Sequence, residues 1–125
     1  MKMRDEHMQA FTEAAVKDFE DRMVVHLNKF FPEQCEALGE AKTREAIREG
    51  IDRAAGYGFV AERDVCKYID LMFAFGRNLD TDRKLSWAGR ILREETIADP
   101  TLKINVLYDA AMQHVRQAAS IEEGA

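Results

Sequence analysis

Between Val65 and Phe75 the chain carries only two charged residues, Lys67 and Asp70, among Val65, Cys66, Tyr68, Ile69, Leu71, Met72, Phe73, Ala74 and Phe75. Wound at 3.6 residues per turn, these side chains leave almost no polar face, so the segment must sit at the centre of a fold or be covered by a partner. Its start is placed near Ala61, where Glu62 and Asp64 set negative charge against the positive end of the peptide dipole. Gly76 closes it, and Gly56-Tyr57-Gly58 supplies a tight turn before it.

The rest of the chain supplies helices to cover this one. From Met3 to Phe31 the residues Met8, Phe11, Ala15, Phe19, Met23, Leu27 and Phe30 recur at steps of three and four, which predicts a long amphipathic helix. Glu13, Lys17, Asp18, Glu20, Asp21 and Arg22 form its solvated outer face. Pro32 ends that run and opens a short connecting turn to Leu38, capped by Gly39. Ala46, Ile47, Ile51, Ala54 and Ala55 predict a second main helix over Glu40 to Ala55, with Gly50 as an exposed weak point. Arg77 to Lys84 reads as a polar surface loop. A shorter helix follows over Ser86 to Glu94, with Ser86 as N-cap and Trp87, Ile91 and Leu92 facing inward. Asp99-Pro100 is a strong helix start, and Ile104, Leu107, Tyr108, Ala111 and Val115 form one stripe behind it. No segment alternates like a half-buried strand. The expectation is an all-α bundle of about five helices around a central apolar one, a single domain over residues 1–119 and a frayed tail over residues 120–125.

Composition narrows the class. Apolar residues make up 46% and charged ones 33%, a folded rather than a disordered balance. The net charge of -5 gives no general attraction to phosphate or anionic lipid, so neither nucleic acid nor membrane is expected as a partner. No apolar run is long enough to span a bilayer, and Met1 to Glu6 lacks the apolar core of a signal peptide, which predicts a cytoplasmic protein. Cys35 and Cys66 are read as thiols, because they form no CxxC pair.

Chemical motifs are sparse. Neither Glu-x-x-His nor His-x-x-x-His occurs around His7, His26 or His114, so no metal site and no cofactor is expected. Asn78-Leu79-Asp80-Thr81-Asp82 resembles the start of a calcium loop, yet Arg83 stands where a glycine is required and Gly89 where a bidentate glutamate is required. Cys66 lies near a helix start, which lowers a thiol pKa, but with no histidine partner identifiable in sequence it reads as an inert core thiol. No catalytic residue is expected. The succession of helix, Gly56-Tyr57-Gly58 turn and helix, with Arg44, Arg48 and Arg53 as phosphate contacts, admits a helix-turn-helix reading, against which Glu62 and Asp64 would face phosphates. Acids near helix ends, such as Glu94-Glu95, admit a small carboxylate-based enzyme only if burial splits their pKa values.

The aromatic surplus is more informative. Tyr57, Phe59, Phe75 and Trp87 cluster around the central segment and its turns, and they are the expected contacts with another protein or with a second copy. Tyr57-Gly58-Phe59, Glu62 through Ile69, Met72-Phe73, Phe75-Gly76, Leu79-Asp80, Trp87-Ala88 and Ile91-Leu92 together resemble small helical bacterial proteins that accompany type VI secretion cargo modules. The resemblance covers roughly Phe11 to Met112 and carries no catalytic motif. It implies an accessory or co-chaperone that binds an effector-loading adaptor or a toxin. Val60-Ala61 departs from what a helix start favours, since it offers no capping hydroxyl.

Overall fold

The computed structural model describes residues 12–124. Its elements are α1 (Glu13–Phe30), α2 (Pro32–Leu38), α3 (Glu40–Gly56), α4 (Glu62–Phe75), a 3₁₀ turn (Arg83–Leu85), α5 (Ser86–Leu92) and α6 (Pro100–Gly124). The described residues are all-helical, with no strand among them. They hold six α-helices when the short connector α2 is included.

α1 begins later than its periodicity suggests. Thr12 has an extended backbone and its hydroxyl accepts a 3.1 Å hydrogen bond from the Ala15 N–H, so it caps a helix that starts at Glu13. Met8 and Phe11, expected on the same stripe, lie outside the described residues. Phe19, Met23 and Leu27 bury at four-residue intervals, and the helix stops where Phe31 leaves helical geometry ahead of Pro32. α2 and Gly39, at φ +82°, then turn the chain back so that α3 packs along α1.

Two residues of the α1–α3 pair reverse their expected positions. Glu20, placed by pattern on the solvated face, is only 3% exposed. Its two carboxylate oxygens accept from the Arg44 and Arg48 guanidinium groups of α3, and Arg44 also reaches Asp21 and Glu40. Gly50, expected as an exposed weak point, is buried against α4. A Cβ built there would lie 2.6 Å from Ile69 Cγ1 and 3.2 Å from the Met72 sulfur. The missing side chain is what lets the backbones of α3 and α4 approach.

α4 packs against α3, α6 and α1. Ala61 precedes it without a side-chain capping bond, while the buried Asp64 in its first turn accepts a 2.8 Å hydrogen bond from the Thr101 hydroxyl of α6. Val65, Tyr68, Ile69, Leu71, Met72 and Phe73 of α4 join buried residues from every other helix in one core.

The loop after α4 is less of a surface connection than its polarity suggests. Leu79 is fully buried and Asp80 nearly so. Asp80 accepts a 2.7 Å hydrogen bond from the Tyr57 hydroxyl and one from Arg53, and Arg53 also donates to the Arg77 carbonyl and to Asn78. Of the oxygens that suggested a calcium loop, those of Asn78 and Asp80 are therefore engaged by a guanidinium and a phenol, and Asp82 Oδ1 accepts from the Lys84 N–H. Ser86 is the first helical residue of α5 rather than its cap, because the preceding 3₁₀ turn, capped by Asp82, takes up Arg83 to Leu85. Asp99 does cap α6, accepting from the Thr101 N–H, but the helix continues beyond Ala119 to Gly124 where a frayed tail was expected.

Two outcomes follow from these contacts. Gly50→Ala should lower stability by about 1–3 kcal/mol, because Ile69 cannot move aside without disturbing the core. Gly56→Ala, with no atom near its Cβ position, should change stability by at most about 1 kcal/mol and in the stabilising direction. Chemical denaturation of the two variants checks the contrast. Burial alone would raise the Glu20 carboxyl, but the hydrogen bonds and charges of Arg48 and Arg44 outweigh it and hold Glu20 below its ordinary range. A depressed carboxyl stabilises the fold above its unfolded-state pKa and ceases to do so as pH falls through the folded value. Thermal melts should accordingly show Tm falling below about pH 4.5, with Glu20→Gln flattening that acid limb.

Candidate functional site

α1, α4 and α6 do not close on one another at their ends. Between them lies a cleft of about 300 Å³. One wall is the end of α1, with His26, Phe30 and Phe31. The floor is the second half of α4, where Asp70 and Ala74, and likewise Leu71 and Phe75, repeat one turn apart. The other wall is the α6 stripe Tyr108, Ala111, Met112 and Val115. The rim is apolar and open: Phe30 is 59% exposed, Val115 49% and Met112 39%. Three of the large exposed apolar side chains of the described residues thus converge on a single cleft.

Its polar end is a cluster of three residues. Cys66 and Asp70 are four apart on α4 and so share a face of that helix. His26, from α1, lies across from both. Its Nε2 is 2.8 Å from Asp70 Oδ1 and 3.1 Å from Oδ2, and Cys66 Sγ is 3.9 Å from the same nitrogen. The His26 ring also leans on Phe30, with centroids 4.8 Å apart. Behind His26 is a second, shallower hollow of about 400 Å³, lined by Phe19, Arg22, Met23, Glu62, Arg63 and Cys66. An Arg22–Glu62 ion pair at 2.9 Å closes one side of it. His26 therefore stands as a partition, with Asp70 facing one hollow and Cys66 the other.

This arrangement does not make an activated nucleophile. A triad needs the histidine's two nitrogens divided between nucleophile and orienting acid, whereas Cys66 and Asp70 both approach Nε2. Burial and the neighbouring Asp70 charge push the Cys66 thiol up to about 11, against a smaller opposing effect of Lys67. Burial likewise raises the Asp70 carboxyl, opposed by His26.

The aromatic residues expected to contact a partner do not form one patch. Phe59 is fully buried and packs on Tyr68, so it has no surface to offer. Tyr57 also packs on Tyr68, and its hydroxyl is held by Asp80. Phe75 lines the cleft, and Trp87 stands edge-on behind it at 5.5 Å while stacking on His114 at 4.5 Å. Phe75 and Trp87 thus belong to the cleft's surroundings, and Tyr57 and Phe59 belong to the opposite end of α4.

Sequence pattern missed His26, Phe30, Met112 and the grouping of His26 with Cys66 and Asp70. Motifs such as Glu-x-x-His and His-x-x-x-His pair residues within one helix, whereas this cluster joins two helices. The available trace was the Cys66–Asp70 spacing on an otherwise apolar helix. Comparisons with protein-family models, curated proteins and solved structures found no match to this chain.

The raised thiol has a direct consequence. In a Cys35→Ala background, Cys66 of metal-free protein should react with iodoacetamide at neutral pH roughly a hundredfold more slowly than a free cysteine, and faster as pH climbs toward 11. Mass-spectrometric alkylation rates across pH check this.

Proposed function

We propose that this protein is a non-enzymatic binding accessory whose cleft between α1, α4 and α6 receives the apolar face of an amphipathic helix from another protein. The convergence of Phe30, Met112 and Val115 on one cleft carries the reading, because exposed apolar area of this kind is what a helix-in-groove contact buries. The cleft wall on α6 repeats at positions 108, 111, 112 and 115, which matches the spacing by which an incoming helix presents its own anchors. The sequence resemblance supplies the identity of the partner in this reading: an effector or loading adaptor of type VI secretion, met in the cytoplasm.

The competing classes have less support. Among the described residues Asp70 is the one acid lining the cleft, whereas Glu20 is engaged by Arg44 and Arg48, Asp64 by Thr101 and Asp80 by Tyr57 and Arg53. A paired-carboxylate enzyme has no facing acids to use there. For a DNA regulator, α4 would be the recognition helix, yet it packs against three others, and no helix of the described residues is long and apolar enough to cross a membrane.

Selection of displayed helical peptides on the full chain tests the proposal. Enriched peptides should carry apolar anchors at i, i+3 or i+4, and i+7. Their affinity should fall about tenfold or more for Val115→Asp or Met112→Asp. Val25→Asp, on an exposed position of α1 outside the cleft, should leave it unchanged. Peptides that bind all three variants equally, or a cleft filled by a second copy in light scattering, would overturn the reading.

A further inference from the structure

We propose that His26, Cys66 and Asp70 form a zinc site with three protein ligands and a fourth position open to solvent. This goes beyond helix binding and stands on different atoms. The donor atoms all lie within 4.8 Å of one another, with the two closest contacts made by the same imidazole nitrogen. Ordinary zinc bonds of about 2.0–2.1 Å to nitrogen, 2.3 Å to sulfur and 2.0–2.2 Å to a carboxylate oxygen put tetrahedral donors about 3.4–3.6 Å apart. The His26–Asp70 distance must therefore open by about half an ångström, the His26–Cys66 distance close by about a third of one, and the Cys66–Asp70 separation, within 4.8 Å, close by up to about 1.2 Å.

The donor set selects the metal. One thiolate, one imidazole and one carboxylate suit the borderline-soft zinc ion, whereas calcium and magnesium require oxygen ligands. Placement also fits. Two ligands one turn apart on α4 and a third from α1 are held by the packing of Phe19, Met23 and Leu27 on the core, not by a loop. None of the three is fully buried, and the hollows on either side of His26 provide an entry path and room for a water on the metal. Zinc binding replaces the His26–Asp70 hydrogen bond, the Nε2 proton passing through solvent to Nδ1, and displaces the Cys66 thiol proton to solvent, leaving thiolate, neutral imidazole and carboxylate on the ion.

Cobalt(II) substitution of the metal-free full chain reads this geometry directly. One equivalent should give a thiolate-to-cobalt charge-transfer band in the near ultraviolet and the intense visible bands of four-coordinate cobalt, both lost when zinc is added. Cys66→Ser should remove the charge-transfer band. His26→Gln and Asp70→Asn should weaken zinc binding by about tenfold or more in competition with a chromophoric chelator, a loss at least as large as that from altering residues that merely support ligands. Cys35→Ala and Val115→Asp should leave metal binding intact, and circular dichroism verifies that each variant folds. Wild-type spectra lacking the charge-transfer band, or a band that follows Cys35 instead of Cys66, would overturn the site. Both outcomes leave the helix-binding cleft standing, because Val115→Asp separates the two properties.

Discussion

The fold is organised by the burial of α4. A helix with apolar residues on nearly every side cannot rest on one neighbour, so α3, α6 and α1 are all drawn onto it. The contact with α3 is the closest in kind, because Gly50 removes a side chain where Ile69 and Met72 fill the space. Van der Waals contacts decay steeply with separation, and that approach places the aliphatic side chains of α3 and α4 in contact across a short gap. The remaining helices take positions that this pair leaves available.

Polar interactions then set the registers that apolar packing leaves loose. Glu20 with Arg44 and Arg48 fixes α1 against α3, and Asp64 with Thr101 fixes the first turn of α4 against that of α6. Arg53, Tyr57 and Asp80 hold the loop after α4 over the end of α3. Each joins segments far apart in sequence, and each directs a charged or hydroxyl group at a defined oxygen. Directional bonds of this kind discriminate between alternative registers of the same apolar stripes more sharply than contact area does.

The cleft and the histidine cluster are consequences of the same arrangement. α1 ends at Phe30 because Phe31 must leave helical geometry before Pro32, and the second half of α4 lines the cleft left between α1 and α6. The covering layer is therefore incomplete over the second half of α4. Asp70, the one acid in the interior of that helix, lies where the cover ends, and His26 is its nearest partner from α1. Cys66 joins them because it sits one turn earlier on the same face. An apolar opening and a cluster of potential ligands thus meet at His26.

Local pattern in the sequence determined the all-helical class, most helix limits and the apolar character of α4. These depend on periodicity, on Pro32, Gly39, Gly76 and Asp99-Pro100, and on charge in first turns, all of which act within a few residues. Tertiary structure alone decided that Glu20 and Gly50 are buried, that Leu79 and Asp80 belong to the interior, and that Tyr57 and Phe59 lie away from Phe75 and Trp87. It also decided that His26 meets Cys66 and Asp70. Periodicity fixes which side chains share a face of one helix, but contact between helices depends on their crossing and axial shift, which are set by side-chain interlocking summed over the whole core.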